Sequence, residues 1–229
     1  MADTPHPWNV SLSEARLIQE KLRREVRLQP LTSPIRTIAG VDISCNRFQK
    51  TVYAGIIVFS YPDLEVITYE VHQEEAEFPY IPGFLSFREI PSLLSCWNAL
   101  TEKPDLVMVD GQGIAHPRRL GIASHLGVLI DTPTIGCAKS VLTGTYRMPK
   151  KVGTHSPLVD VKQHNEIIGA VLLSKQKSNP LIISPGHRIT LKESVKVVQG
   201  CLRGYRLPEP TRLAHLLVNQ FRRGELLRV

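Results

Sequence analysis

The chain has 229 residues, 42% of them hydrophobic, and a formal net charge of +7. Its length suits one domain with a full core, and no apolar run reaches the ~18 residues that a membrane-spanning helix needs. Basic clusters in KLRREVR, HPRR, MPKK and FRRG point to a phosphate-bearing partner, nucleic acid before a membrane surface, because no amphipathic anchor stands out.

From Ser11 to Leu28 the residues Leu12, Ala15, Leu17, Ile18, Leu22 and Val26 recur at helical spacing, and Ser11 with Glu14 makes a capping-box pattern, so an amphipathic helix opens the chain. Three strand-like runs follow, IRTIAGVDIS, TVYAGIIVFS and LEVITYEVHQ, and the short polar links between them predict an antiparallel meander. In EFPYIPGFLSFREIP, the prolines Pro79, Pro82 and Pro91 cannot join an internal ladder, and the first two stiffen the chain around Tyr80 and Ile81. Such a segment is either a rigid protrusion or an apolar turn folded back on the core. SLLSCWNAL then reads as a helix with Pro91 in its first turn.

PDLVMVD is a continuous apolar run, followed by a glycine-rich loop, a helical RRLGIASHLGVLI and a second apolar run, TPTIGCAK. Apolar strand, helix, apolar strand predicts a parallel unit covered on both faces. EIIGAVLLS and NPLIIS offer further strands, TLKESVKVVQGCLRG is a helix with Thr190 and Glu193 as a second capping box, and a last helix runs from Pro210 to Arg223. No repeat or boundary-length linker divides residues 1–229, so a single domain is expected. The N-terminus lacks a signal-peptide pattern, and Cys45, Cys96, Cys137 and Cys201 form no CxxC pair; both features suit a cytoplasmic protein with reduced thiols.

Asp42 sits inside the strand IAGVDIS, where an acid is costly unless it is paired or binds a metal. Asp110 closes LVMVD at the carboxyl end of a strand, where open α/β sheets place their sites. If those strands are neighbours, the two carboxylates converge and repel unless a cation such as Mg2+ lies between them. Glu89, just ahead of the SLLSCWNAL helix, is a third acid for the same ion. Lys139 ends TIGCAK and lies near Asp110 if the strands follow in order, placed to hold a phosphate or position a water. At ~100° per residue, Leu213, Leu216, Leu217 and Phe221 gather on one side of the last helix. His215 shares the other side with Arg212, Asn219 and Arg222 and is therefore not a core histidine. The loop DGQGIAHPRRLG lacks the third glycine of a dinucleotide fingerprint, His116 standing in its place, so Gly111 and Gly113 fit better as small residues that let backbone approach a flat group.

Taken in order, GVDIS, PYIPGFLSFRE, VDGQGIAHPRRLGIASHLG, TIGCAKS, PGHRI and EPTRLAH resemble the endonuclease V family of DNA-repair nucleases, over nearly the whole chain from about Leu12 to Arg223. The family acts on deaminated purines, chiefly deoxyinosine. The resemblance implies a ribonuclease-H-like α/β fold, a mixed central sheet of antiparallel meander plus parallel strands flanked by helices. It implies that Asp42, Glu89 and Asp110 bind a catalytic Mg2+, for which Mn2+ can substitute, and that Lys139 and His215 belong to the same centre. Pro79, Tyr80, Ile81 and Pro82 correspond to the family's DNA wedge. The flipped base enters a pocket lined by Gly83, Leu85, Gly111, Gly113, Ile122 and Leu142, where backbone N–H groups donate to the exchanged carbonyl. The family cuts the second phosphodiester bond 3′ to the lesion, leaving 3′-hydroxyl and 5′-phosphate ends. Arg88, His116, Arg118 and Arg119 are then expected on phosphates. The expected partner is DNA containing deaminated bases, met by a monomer. An inosine-specific endoribonuclease of the same family is the alternative substrate class. A non-catalytic nucleic-acid-binding domain would have lost an acid of the triad, and none is replaced. Cys45, where a bulkier residue is usual, is a mild departure that touches nothing catalytic.

Overall fold

The computed structural model describes residues 5–46, 49–163 and 166–225. Helix α1 (Leu12–Leu22) carries the expected capping box but ends at Arg23, short of the apolar period that predicted it to Leu28. Tertiary pairing overrides helix propensity there: the Arg27 N–H donates to Nδ1 of His187, and the Arg27 carbonyl accepts from the Arg188 N–H.

Strands β1 (Thr37–Cys45), β2 (Thr51–Ser60) and β3 (Val66–Glu75) form the predicted antiparallel meander. β1 also pairs in parallel with β4 (Leu106–Val109), and β4 in parallel with β5 (Thr134–Ala138). β6 (His155–Val159), β7 (Ile167–Leu172) and β8 (Leu181–His187) complete an eight-stranded sheet of order β3-β2-β1-β4-β5-β8-β7-β6, the ribonuclease-H-like arrangement of meander plus parallel strands extended on one side. The sequence reading passed over β6 because Pro157 lies in its middle, and Pro157 is tolerated because β6 is an edge. On its outer side, Val159 exchanges both backbone bonds with Thr145.

Alternation along the strands divides the core between two faces. Ile38, Met108, Ile135 and Ile183 pack under α4 (Leu191–Gly200) and α5 (Glu209–Arg222); Ala39, Val41, Val107 and Val109 pack under α2 (Leu85–Ala99) and α3 (Ile122–Ile130). Helix α2 starts well before the predicted SLLSCWNAL, so Pro91 lies inside it rather than in its first turn. Pro91 forfeits one helical bond, and burial of Phe87, Ile90, Leu93 and Leu94 holds the turn regardless. Glu89 is consequently a helical residue. Among the described residues no helix is long and apolar enough to cross a membrane.

Helix α5 lies directly on β1, and glycine makes this possible: a Cβ at Gly40 would coincide with the Pro210 backbone carbonyl. Gly40→Ala is therefore expected to push α5 off the sheet and cost about 1–3 kcal/mol, as overpacking does. Urea unfolding of parent and variant measures the loss, and an unchanged midpoint would contradict this account of the packing.

Candidate functional site

Val41 of β1 stands opposite Val109 of β4, and the Asp110 N–H donates to the Val41 carbonyl at 3.3 Å. Asp42 and Asp110 thus stand side by side where the parallel pairing of β1 and β4 ends, the neighbourhood that their convergence requires. His215 reaches them from α5, and one ligand atom of each of Asp42, Asp110 and His215 lies within 4.8 Å of the others. His215 Nδ1 is 2.7 Å from Asp42 Oδ2. An ionised Asp42 only accepts, so Nδ1 carries the proton and Nε2 is free to accept from the Asn219 amide at 3.2 Å. The imidazole is 46% exposed against 7% for Asp42, in keeping with its expected place off the core face. Leu216, expected on the apolar side, is instead exposed. Lys139, just past β5, sets its Nζ 2.5 Å from Asp110 Oδ2.

Glu89 faces the same cavity as the two aspartates, beside the tight cluster rather than within it. Burial, then the charge of Asp42, pushes its carboxyl up to about 8. Burial and Asp42 also raise Asp110, against the pull of Lys139. Three crowded acids facing a single lysine form an oxygen-rich, anion-heavy donor set that suits a hard divalent cation.

The cavity holds about 400 Å³ and opens onto these acids. Of the residues expected around a base, Gly83, Leu85, Gly111, Ile122 and Leu142 line it. Gly113 does not. Its N–H donates to Ser184 Oγ at 2.8 Å, and a Cβ there would strike the Pro185 carbonyl, so that glycine serves packing inside the protein. The Gly111 N–H is likewise turned back, onto Val109 O at 2.9 Å. Other amides are open to a ligand. α2 begins at Leu85 and α3 at Ile122, and neither has a side-chain cap, so the N–H groups of Leu85, Ser86 and Ile122 lack helical acceptors at residues that line the cavity. Sequence reasoning missed Ser86, Gln112, Leu120, Gly121 and Ser140 in this wall; neither Phe84 nor Gly121 has a capping side chain to mark the helix starts that frame it.

The Pro79–Pro82 segment combines the two alternatives left open by its sequence. Pro79 and Pro82 are exposed and Tyr80 is half-buried, while Ile81 folds back against the cluster of Ala15, Phe78 and Phe87. Its base is braced at Gly83, whose φ of 82° favours glycine. The Gly83 carbonyl accepts from Arg118 Nη2 at 2.6 Å, Gln19 Nε2 at 3.0 Å and His116 Nε2 at 3.1 Å. Burial, then Arg118, lowers His116 to about 4, so the ring is neutral; its Nδ1 accepts from the Arg118 N–H, and Nε2 carries the donated proton.

The four groups expected on phosphates are all engaged within the protein. His116 and Arg118 hold Gly83. Arg88 is 4% exposed and donates to the carbonyls of Phe78, Gln49 and Lys50. Arg119 pairs with Asp160 at 2.8 Å and Glu166 at 2.6 Å. These engagements have a common cause: the sequence displays the charge of the four groups, but not the buried carbonyls and acids that the fold brings to them.

The sequence profile of the endonuclease V family matches residues 20–216. Endonuclease V of Roseiflexus castenholzii is 45% identical over 218 residues, covering 95% of this chain and 96% of that one. That of Trichormus variabilis is 46% identical over 217 residues, covering 94% and 97%. The crystal structure of endonuclease V from Streptomyces avermitilis superposes with a TM-score of 0.88 at 36% identity, covering 96% of this chain and 97% of that one. Endonuclease V of Ciona intestinalis, solved with a DNA containing an inosine followed by a ribo-adenosine, superposes at 0.82 with 27% identity, covering 93% and 98%.

The Arg119 pairing makes a pH prediction. The Gln163 amide and the Arg119 guanidinium hold Asp160 down to about 2, below its ordinary value of 3.8. A depressed carboxyl contributes stability above its unfolded pKa and loses it as pH falls toward the folded one. Asp160→Asn is therefore expected to be less stable than the parent at neutral pH, with the gap closing as pH drops from about 4 to about 2. Urea midpoints across that range check it; a pH-independent gap would mean that the charge of Asp160 is not what matters.

Proposed function

The chain belongs to the endonuclease V family, and from that membership we propose that it is a metal-dependent endonuclease that cuts DNA near deoxyinosine, at the second phosphodiester bond on the 3′ side, leaving 3′-hydroxyl and 5′-phosphate ends. The observation that carries this reading is a cavity large enough for a purine whose wall includes Asp42, Glu89 and Asp110. A base lodged there brings its own backbone to the acids. The inosine-containing DNA bound by the Ciona enzyme supports the same substrate class.

Asp42, Glu89 and Asp110 would hold Mg2+, with Mn2+ able to substitute; the carboxyls of Glu89 and Asp110 are raised first by burial and then by the charge of Asp42, a repulsion that such an ion would relieve. When bound, a divalent ion supplies Lewis acidity to a phosphoryl oxygen and lowers the pKa of water. The chain supplies position. His215 Nδ1–H orients the Asp42 carboxylate, with Asn219 fixing the tautomer, and Lys139 holds Asp110 while presenting a cation at the cavity mouth. The uncapped amides of α2 and α3 donate to the carbonyl that deamination creates. Tyr80, carried on a loop braced at Gly83, fills the gap that the extruded base leaves.

RNA is a second substrate class, favoured by one observation: the Ciona ligand places a ribonucleotide directly after the inosine. Matched single strands of inosine-containing DNA and RNA decide the preference by their relative kcat/KM.

The primary test is an inosine-containing duplex incubated with and without Mg2+, with the cut mapped; equal cutting of an undamaged duplex would overturn the reading. Asp110→Asn should lose cleavage by at least about 10²-fold, more than loss of an outer partner of a metal ligand costs, yet keep affinity for the inosine duplex. Tyr80→Ala should weaken binding to inosine DNA by roughly 5- to 150-fold, the worth of one base–aromatic stack, and leave undamaged duplex unaffected. Equal losses on both duplexes would assign Tyr80 to the core instead.

A further inference from the structure

Behind the first turn of α2 runs a hydrogen-bonded chain that the cleavage chemistry does not use. Ser86 Oγ lies 3.0 Å from His125 Nδ1 on α3, and His125 Nε2 lies 2.9 Å from Nε2 of His6, in the segment that precedes α1. His6 Nδ1 lies 2.8 Å from the Pro7 carbonyl oxygen. All three side chains are buried, and the two rings are packed among Trp8 and Phe87. Burial lowers both histidines, which are therefore neutral, with one N–H each.

One arrangement of protons satisfies the contacts among Pro7, His6, His125 and Ser86. The Pro7 carbonyl can only accept, so His6 Nδ1 bears the proton and His6 Nε2 is bare. His125 Nε2 must then donate to it, which leaves His125 Nδ1 bare and makes the Ser86 hydroxyl its donor. The reverse order would set a nitrogen lone pair against the carbonyl lone pairs of Pro7. The consequence falls on the cavity, because Ser86 is part of its wall. A hydroxyl ordinarily rotates to donate or accept as its neighbour requires. Here its one proton is committed, and the oxygen has only lone pairs to offer.

We propose that Ser86 determines specificity: its oxygen, fixed as an acceptor by His125 and His6, receives the N1–H of a 6-oxopurine while an adjacent uncapped amide of α2 donates to O6. This rests on the base-pocket reading above and adds a second point of recognition to it. Hypoxanthine presents an acceptor at position 6 beside a donor at N1. Adenine presents the reverse, an amino group beside a bare N1, and would set N–H against N–H and lone pair against lone pair. A free hydroxyl would tolerate either base by turning its proton, so the histidine relay is what makes the position selective. His125 and His6 act through Ser86 and are positioning residues. The segment before α1 thereby takes part in choosing the base.

The test compares kcat/KM on duplexes carrying deoxyinosine, deoxynebularine or deoxyadenosine at one site. Nebularine lacks both O6 and the N1–H, and the amide facing O6 is the same in every variant, so a change in the inosine-to-nebularine ratio reports the N1 contact. Ser86→Ala should lower that ratio by about five- to tenfold, the worth of one hydrogen bond to a buried group. Ser86→Cys, nearly isosteric and a weak acceptor, should lower it as well and serves if the alanine variant is unstable. His6→Phe keeps an aromatic ring beside Trp8 but removes the acceptor that fixes His125, and should erode discrimination between inosine and adenosine. Ratios unchanged in the Ser86 variants overturn the proposal, as does a uniform drop on all three substrates in His6→Phe, which loss of packing alone would produce. Failure of the parent to cut at inosine would remove the base-pocket reading itself, an outcome seen before any variant is compared.

Discussion

The crowding of Asp42 and Asp110 governs much of the architecture around them. Two carboxylates just past the last paired residues of adjacent parallel strands repel, and burial makes that repulsion expensive. The fold meets the cost with groups from elsewhere in the sequence: Lys139 from beyond β5, His215 from α5, and room for a cation among the acids. For His215 to arrive, α5 must rest on β1 at backbone distance, and Gly40 permits it. A charge problem at one point of the sheet is thus answered by helix packing several residues away.

A second organising point is the Gly83 carbonyl, which collects three donors from α1 and from the loop that precedes α3. A carbonyl has two lone pairs, so three N–H groups around it confine the peptide closely. Gln19 spends both ends of a fully buried amide in this way, one on Gly83 and the other on Arg118. Rigidity at the base of the Pro79–Pro82 segment comes from this knot as much as from the prolines. His116 and Arg118 of HPRR, a run that reads as a nucleic-acid footprint, are therefore part of the scaffold that presents the segment.

Those particulars mark what was legible in the chain. Asp42 in an apolar strand, Asp110 at a strand end and the face of α5 that bears His215 could be read because each violates or obeys a simple periodicity. The meander, the parallel unit and both capping boxes were legible for the same reason. The start of α2 was not, because Phe84 is no capping residue and Pro91 suggested a later beginning. The destinations of Arg88, His116, Arg118 and Arg119 were hidden as well. Their partners are mostly backbone carbonyls and distant acids, which leave no pattern in neighbouring sequence. Gly113 is packed against β8, and the sequence does not show this, since a close approach looks the same in sequence whichever side it comes from.

The outer rim of β6 has a consequence of its own. An open sheet ends in a row of unpaired backbone groups, and a second chain can continue the ladder from such a row. Here the row is interrupted twice: Pro157 has no N–H to offer, and Val159 has already given both of its backbone bonds to Thr145. What remains is too short to template another strand. At the concentrations reached during expression or in a crowded cell, this end of the sheet is thereby guarded against edge-to-edge polymerisation, and the proline that hid β6 in the sequence helps to keep the protein in solution.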